Sequence, residues 1–112
     1  MKKLEIIIKP EKLEMVKEIL DANGINGMNF VNTMGYGKQN GVIKSINGKE
    51  YKIGFVPKIK VETIVADEVV ETVVQNILDE VNTGQYGDGK IAIYPVEDYI
   101  RIRTGERGNA AL

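Results

Sequence analysis

Two stretches of this chain repeat one order of patterns: a short β-rich run, an amphipathic run of helical period, then a second β-rich run. A chain made of two such units must cover both helix faces with strands, which leaves few architectures open. In the first unit Leu4 to Ile8 is apolar, with Ile at three positions, and stops at Lys9 and Pro10 as a buried strand would. From Glu11 to Asn23, Leu13, Val16, Ile19 and Leu20 fall on one helical face, Lys12 and Lys17 lie off it, and Gly24 stands where a left-handed C-terminal cap belongs. Met28 to Met34 has the length of a strand paired antiparallel to another. In the second unit Lys58 to Val65 puts Lys58, Lys60 and Glu62 on one face and Ile59, Val61 and Thr63 on the other. Asp67 is the expected N-cap of a helix ending near Asn82, with Val69, Val70, Val73, Val74, Ile77, Leu78 and Val81 as its apolar stripe. Lys90 to Val96 supplies the fourth strand.

The fold class that follows is α+β: a ferredoxin-like βαββαβ sandwich, an antiparallel sheet with two helices on one face, in a single domain spanning 1–112. The other sheet face then needs a cover, and the apolar content of the strands favours self-association. A last extended piece, Tyr99 to Arg103 within the segment 99–112, is available for assembly or for a ligand. Between the second and third strands, Gly35 to Val56 shows no convincing periodicity over about 20 residues, long for a connection in so small a domain. Five glycines argue for mobility there, yet Ile43, Ile46, Tyr51, Ile53 and Phe55 are too apolar for a solvated linker, so it reads as a partner-binding arm.

Composition removes whole classes of chemistry. With no Cys and no His, the chain has no disulfide, no thiolate or imidazole metal site and no Ser-His-Asp or Cys-His pair. Fifteen basic against sixteen acidic residues give a net charge of −1, which offers no general attraction for nucleic acid. Met1 to Pro10 lacks a long apolar run, so a cytoplasmic protein that does not span the membrane is expected.

Three segments carry the candidate chemistry. Gly35-Tyr36-Gly37-Lys38-Gln39-Asn40-Gly41 is a glycine-dense turn whose N–H groups can approach phosphate oxygens; a hinge explains it equally. Thr83-Gly84-Gln85-Tyr86-Gly87-Asp88-Gly89-Lys90 adds a hydroxyl and an ammonium to a second anion nest; a helix C-cap followed by a tight turn is the plainer alternative. In Arg101-Ile102-Arg103 period-two geometry sends both guanidiniums to one face and Ile100 and Ile102 to the other, as a polyphosphate site or as a charged strand edge. Together with Lys58 these groups can neutralise a nucleotide's phosphates, leaving Glu62 and Asp88 for a ribose, a base edge or waters around Mg²⁺.

These residues resemble the PII signal-transduction proteins, nitrogen regulatory proteins of the GlnB and GlnK kind. The similarity runs from Met1 to Leu112 and is densest at 35–41, 57–62, 83–90 and 100–106. It implies a homotrimer of ferredoxin-like subunits with ATP or ADP in the clefts between them. The resemblance places the phosphates against the backbone of Gly37, Lys38, Gly87 and Gly89 and the side chains of Lys90, Arg101 and Arg103. Base and ribose fall near Gly35, Glu62, Ile64 and Thr83, with Asp88 and Gln39 in the same nucleotide site. It implies Mg²⁺ held by Gln39 and the ATP phosphates, and 2-oxoglutarate among Gln39, Gly41, Lys58 and Gly87, with Lys58 on the distal carboxylate. Nucleotide and keto acid would set the conformation of the T-loop, about 37–55, and so control targets. An ammonium transporter, glutamine synthetase or nitrogenase are the implied ones, the first by docking on a membrane channel. Tyr51 matches the uridylylated tyrosine of the family. Asn47 replaces the channel-plugging arginine, Lys49 replaces a serine that some relatives phosphorylate, and Gly54 stands where an acidic residue is common.

Other readings fit less well. A small ferredoxin-like phosphohydrolase of the acylphosphatase type needs an arginine after the first strand, where this chain has Lys9-Pro10-Glu11, and no general base is evident for ATP hydrolysis. An RRM-like domain would need stacking aromatics in its strands. A purely structural trimer of the CutA type leaves the glycine nests without a purpose.

Overall fold

The computed structural model of the protein describes residues 1–36, 42–46 and 48–112. The elements run β1 (Lys2–Ile8), α1 (Leu13–Ala22), β2 (Asn29–Tyr36), β3 (Val42–Ile46), β4 (Lys49–Ile53), β5 (Phe55–Val65), α2 (Val70–Val81) and β6 (Lys90–Pro95). Four strands form one antiparallel sheet in the order β2-β5-β1-β6, and β3 pairs with β4 in a separate two-stranded ribbon. This is the ferredoxin-like sandwich expected from the two strand-helix-strand units.

Period-two alternation decides which side of the sheet the helices cover. Leu4, Ile6 and Ile8 of β1 and Ile59, Val61 and Val65 of β5 are buried on one face, against Val16, Ile19 and Leu20 of α1 and Val70, Val73, Ile77 and Val81 of α2. Thr63 shares that face and is buried, its hydroxyl donating to the Gly27 carbonyl at 2.6 Å, so one polar side chain in the core ties the loop after α1 to the sheet. Leu78 departs from the expected stripe, half exposed at the rim of α2.

The uncovered face is more polar than strand composition alone suggested. Lys3 lies 3.7 Å from Glu62 and 5.1 Å from the centre of the Tyr94 ring, and Lys60 lies 3.6 Å from the same Glu62 carboxylate. Glu5, beside the Tyr94 hydroxyl, holds that phenol above its ordinary pKa by hydrogen bonding first and by charge second.

Three local expectations are corrected. Asp67 does not cap α2: residue Val69 precedes the helix with no side-chain cap, and Asp67 opens a 3-10 turn, its carboxylate 3.0 Å from the N-terminal ammonium. The cause is register, because Lys2 pairs with Val65 and brings Met1 beside the chain that leaves β5. Among the described residues of the segment 35–56 the chain is not irregular: β2 runs to Tyr36, β5 starts at Phe55, and Val42↔Ile53 to Ile46↔Lys49 pair as a ribbon, with Gly48 in the left-handed region at φ 78°. Tyr99 to Arg103 is not a strand either. Only an isolated bridge, Ile100↔Arg107, is formed, and a turn follows in which the Gly105 N–H donates to the Arg101 carbonyl at 2.7 Å.

Leu20→Ala, at a side chain only 1% exposed, is expected to destabilise the protein by about 2–5 kcal/mol, and Leu78→Ala by about 1 kcal/mol or less. Urea unfolding at fixed protein concentration measures both; equal losses would contradict the burial described.

Candidate functional site

The loop from Thr83 to Lys90 follows directly from what closes α2. Asn82 leaves the helix in extended geometry and Gly84 adopts φ 77°, so the chain turns sharply back toward the sheet. The Asp88 carboxylate then fastens the loop on itself: it accepts the Thr83 N–H at 2.8 Å, the Gly84 N–H at 3.0 Å and the Thr83 hydroxyl. Those bonds, the hydroxyl's first, hold Asp88 below the ordinary carboxylate pKa. The nest read from the glycines is thus occupied at its N-terminal end by the loop's own anion. Gly89, at φ 108°, lies so close to β1 that a Cβ would stand 1.7 Å from the Ile7 carbonyl oxygen, and only glycine fits there.

Lys58 joins this loop from β5. It sits at 3% exposure and its ammonium donates to the Gly87 carbonyl at 2.5 Å. Burial, then the charge of Lys9, lower its pKa, opposed by Glu11 and Asp88. Its stem passes Gly35 of β2, where a Cβ would stand 3.2 Å from Lys58 Cγ. Lys90 opens β6 opposite Ile7, which itself pairs with Lys60, so Lys58 and Lys90 share the uncovered face at one end of the sheet. Gly35, Lys58, Thr83, Gly87, Asp88, Gly89 and Lys90 therefore gather at that end. Gly37, Lys38, Gln39 and Gly41 lie outside the described residues. Tyr51 pairs through its backbone with Lys44 in the ribbon.

The remaining site residues are elsewhere. Glu62 and Ile64 lie toward the far end of β5, with Ile64 six residues and about 20 Å along the strand from Lys58. With Arg101 they line a cleft of about 760 Å³ that also takes in Asn26 to Asn29, Tyr99 and Leu112. Of these, Tyr99 lies in the segment the sequence offers for assembly or a ligand, whereas Asn26 and Gly27 carry no periodicity that would mark them. Arg101 is engaged within the chain: its guanidinium is 3.2 Å from Glu106 and donates to the Leu112 carbonyl at 3.2 Å. Arg103 is exposed in the turn beyond it. The extended geometry that would align the two guanidiniums is absent, replaced by a loop that Asp98 secures through Arg107 at 2.7 Å and the N–H groups of Tyr99 and Gly108.

A single chain thus presents two groups of candidate residues at opposite ends of its sheet. The family model described as Nitrogen regulatory protein P-II matches residues 1–106. The chain belongs to this family. It is 46% identical over 112 residues to Nitrogen regulatory protein P-II of Azospirillum brasilense, covering 100% of both chains. It is 47% identical over 112 residues to Nitrogen regulatory protein P-II 2 of Methanothermobacter thermautotrophicus, covering 100% of this chain and 97% of the relative. Against Nitrogen regulatory protein P-II 1 of Escherichia coli K12 it is 46% identical over 112 residues, with 100% of each covered. A role in nitrogen regulation accordingly attaches to the P-II family at the level of these names. Among the described residues of this P-II chain, no helix is long and apolar enough to cross a membrane.

Because Asp88 is held below its ordinary pKa, its contribution to the loop is complete above about pH 3.9 and is lost as pH falls through the lower folded value. The amide resonances of Thr83 and Gly84 are expected to titrate together with a midpoint below 3.9, and Asp88→Asn to remove that titration. A midpoint at or above 3.9 would show that the carboxylate does not hold the loop.

Proposed function

We propose that this protein is a nitrogen regulatory sensor: ATP or ADP, and 2-oxoglutarate alongside MgATP, bind in clefts between copies of the chain and set how residues 37–55 engage target proteins. The observation that carries the reading is the division of candidate residues between two ends of one sheet. The glycine loop with Lys58 and Lys90 forms one half of a site, and the cleft holding Glu62, Ile64 and Arg101 forms the other. A head-to-tail contact that joins one end to the other end of a neighbour, repeated until it closes, makes a ring, and the family resemblance favours a trimer.

Physical chemistry supports the assignments. A polyphosphate is matched by Lys90, Arg101 and Arg103, a hard cation by oxygen donors such as Gln39 and the phosphates, and the distal carboxylate of a keto acid by the Lys58 ammonium. If metal and phosphates complete the keto-acid site, 2-oxoglutarate binds only with MgATP and by linkage strengthens ATP binding in return. The arm from 37 to 55 then reports ligand state to an ammonium transporter, glutamine synthetase or nitrogenase. Asn47 and Lys49 favour the last two over a channel.

Calorimetric titration with MgATP, with and without 2-oxoglutarate, tests this. ATP binding that tightens with the keto acid is expected; indifference would reduce the protein to an adenine-nucleotide sensor, and no binding would remove the reading. Lys90→Ala or Arg103→Ala is expected to weaken ATP binding by roughly 1.5–3 kcal/mol with the oligomer intact, since each removes a charge-assisted bond. Deleting 44–52 should abolish capture of glutamine synthetase while leaving ATP binding nearly unchanged. Equal loss of both would make the arm part of the nucleotide pocket.

A further inference from the structure

Lys58 makes a contact that its assignment to a carboxylate ligand does not require. Its side chain crosses from β5 to the Gly87 carbonyl, 29 residues away in the chain, and is nearly excluded from water. A buried ammonium is costly unless a fixed acceptor meets it, and here the acceptor is a carbonyl of the glycine loop. The path it takes is shaped for it: Gly35 lacks the Cβ that would crowd Lys58 Cγ at 3.2 Å.

We propose that Lys58 is a positioning residue for the 83–90 loop, clamping the Gly87 carbonyl so that the loop holds its ligand-ready shape before nucleotide arrives. The proposal rests on the reading of that loop as the phosphate site. Peptide planarity supplies the mechanism. In a trans peptide the Gly87 carbonyl and the Asp88 N–H point in opposite directions, so holding the one aims the other. Asp88 already fastens the loop at Thr83 and Gly84, and Gly89 is pressed against Ile7. Gly87 lies between these anchors at φ 95°, in a conformation that glycine's freedom permits but does not enforce. The Lys58 bond is the side-chain contact that holds it. An ammonium carries three donors, so the clamp is compatible with a carboxylate arriving at the same group.

The test compares wild type with Lys58→Met, Gly35→Val, which intrudes on the lysine's path, and exposed Lys17→Gln as a control. Hydrogen exchange of the ligand-free protein is followed, then ATP binding without 2-oxoglutarate. The expected result is exchange at 84–89 faster by on the order of tenfold in Lys58→Met and Gly35→Val, with β1 and α2 amides unchanged. ATP affinity of Lys58→Met should fall by a similar factor, recovering in part in Lys58→Arg, which restores a donor, while Gly35→Val is judged on loop exchange alone because Gly35 itself belongs to the proposed nucleotide site. Wild-type loop exchange in both variants would overturn the clamp. So would faster exchange throughout the chain, which would make Lys58 a structural residue only. Should Lys58→Met fail to fold, Gly35→Val decides. Loop exchange is read without nucleotide, so failure of wild type to bind ATP would count against the functional reading and not against the clamp.

Discussion

The antiparallel pairing of β1 with β5, from Lys2↔Val65 to Ile8↔Ile59, is the constraint on which the remaining geometry depends. A slip of one residue would keep one strand's apolar set in the core and turn the other's out, Leu4, Ile6 and Ile8 or Ile59, Val61 and Val65, so the register is fixed because both sets are buried on the same face. From it follow the approach of Asp67 to the N-terminal ammonium and the placing of Lys3, Glu5, Lys60 and Glu62 on the uncovered face. It also presents the Ile7 carbonyl to Gly89, and so decides where the chain leaving α2 must turn.

Around that centre the glycine loop is built with little freedom. Its N-terminal amides are taken by Asp88, its midpoint by Lys58, and its last glycine by contact with β1. A loop held at three points has little conformational entropy left to lose, which is the physical meaning of preorganisation. The opposite end of the sheet is organised differently. There Arg101 holds the C-terminal main chain, Asp98 gathers Arg107 and two amides, and Ile102 stands wholly exposed.

Much of the fold was legible because burial leaves periodic traces. The strands at Leu4–Ile8 and Lys58–Val65 and the stripes of α1 and α2 were read from spacing alone, and Gly24 from its position after a helix. The errors fell where register or turn chemistry outweighs local pattern. Asp67 looks like a cap until β1 brings an ammonium to it. The ribbon between 42 and 53 was announced by Asn47-Gly48, a strong hairpin dipeptide, but its strands lack the alternation of a sheet with one buried face. Arg101 and Arg103 looked aligned only on the assumption of a strand, which Gly105 and the Arg101 main chain break. For the candidate site, residue types were legible and their grouping was not. That Lys58 meets Gly87, and that Ile64 stands about 20 Å along β5 from Lys58 and beside a separate cleft, depends on pairings no local pattern encodes.

The proposed nucleotide site takes one end from each of two chains. This sharing is tested most directly by mixing Lys90→Ala and Arg103→Ala chains, unfolding and refolding them together, and titrating ATP. If the halves come from different chains, mixed assemblies contain some sites with both residues intact, and a fraction of tight binding returns that neither variant shows alone. If each site lies within one chain, every site in the mixture lacks one residue, and binding no tighter than in the separate variants would contradict the account.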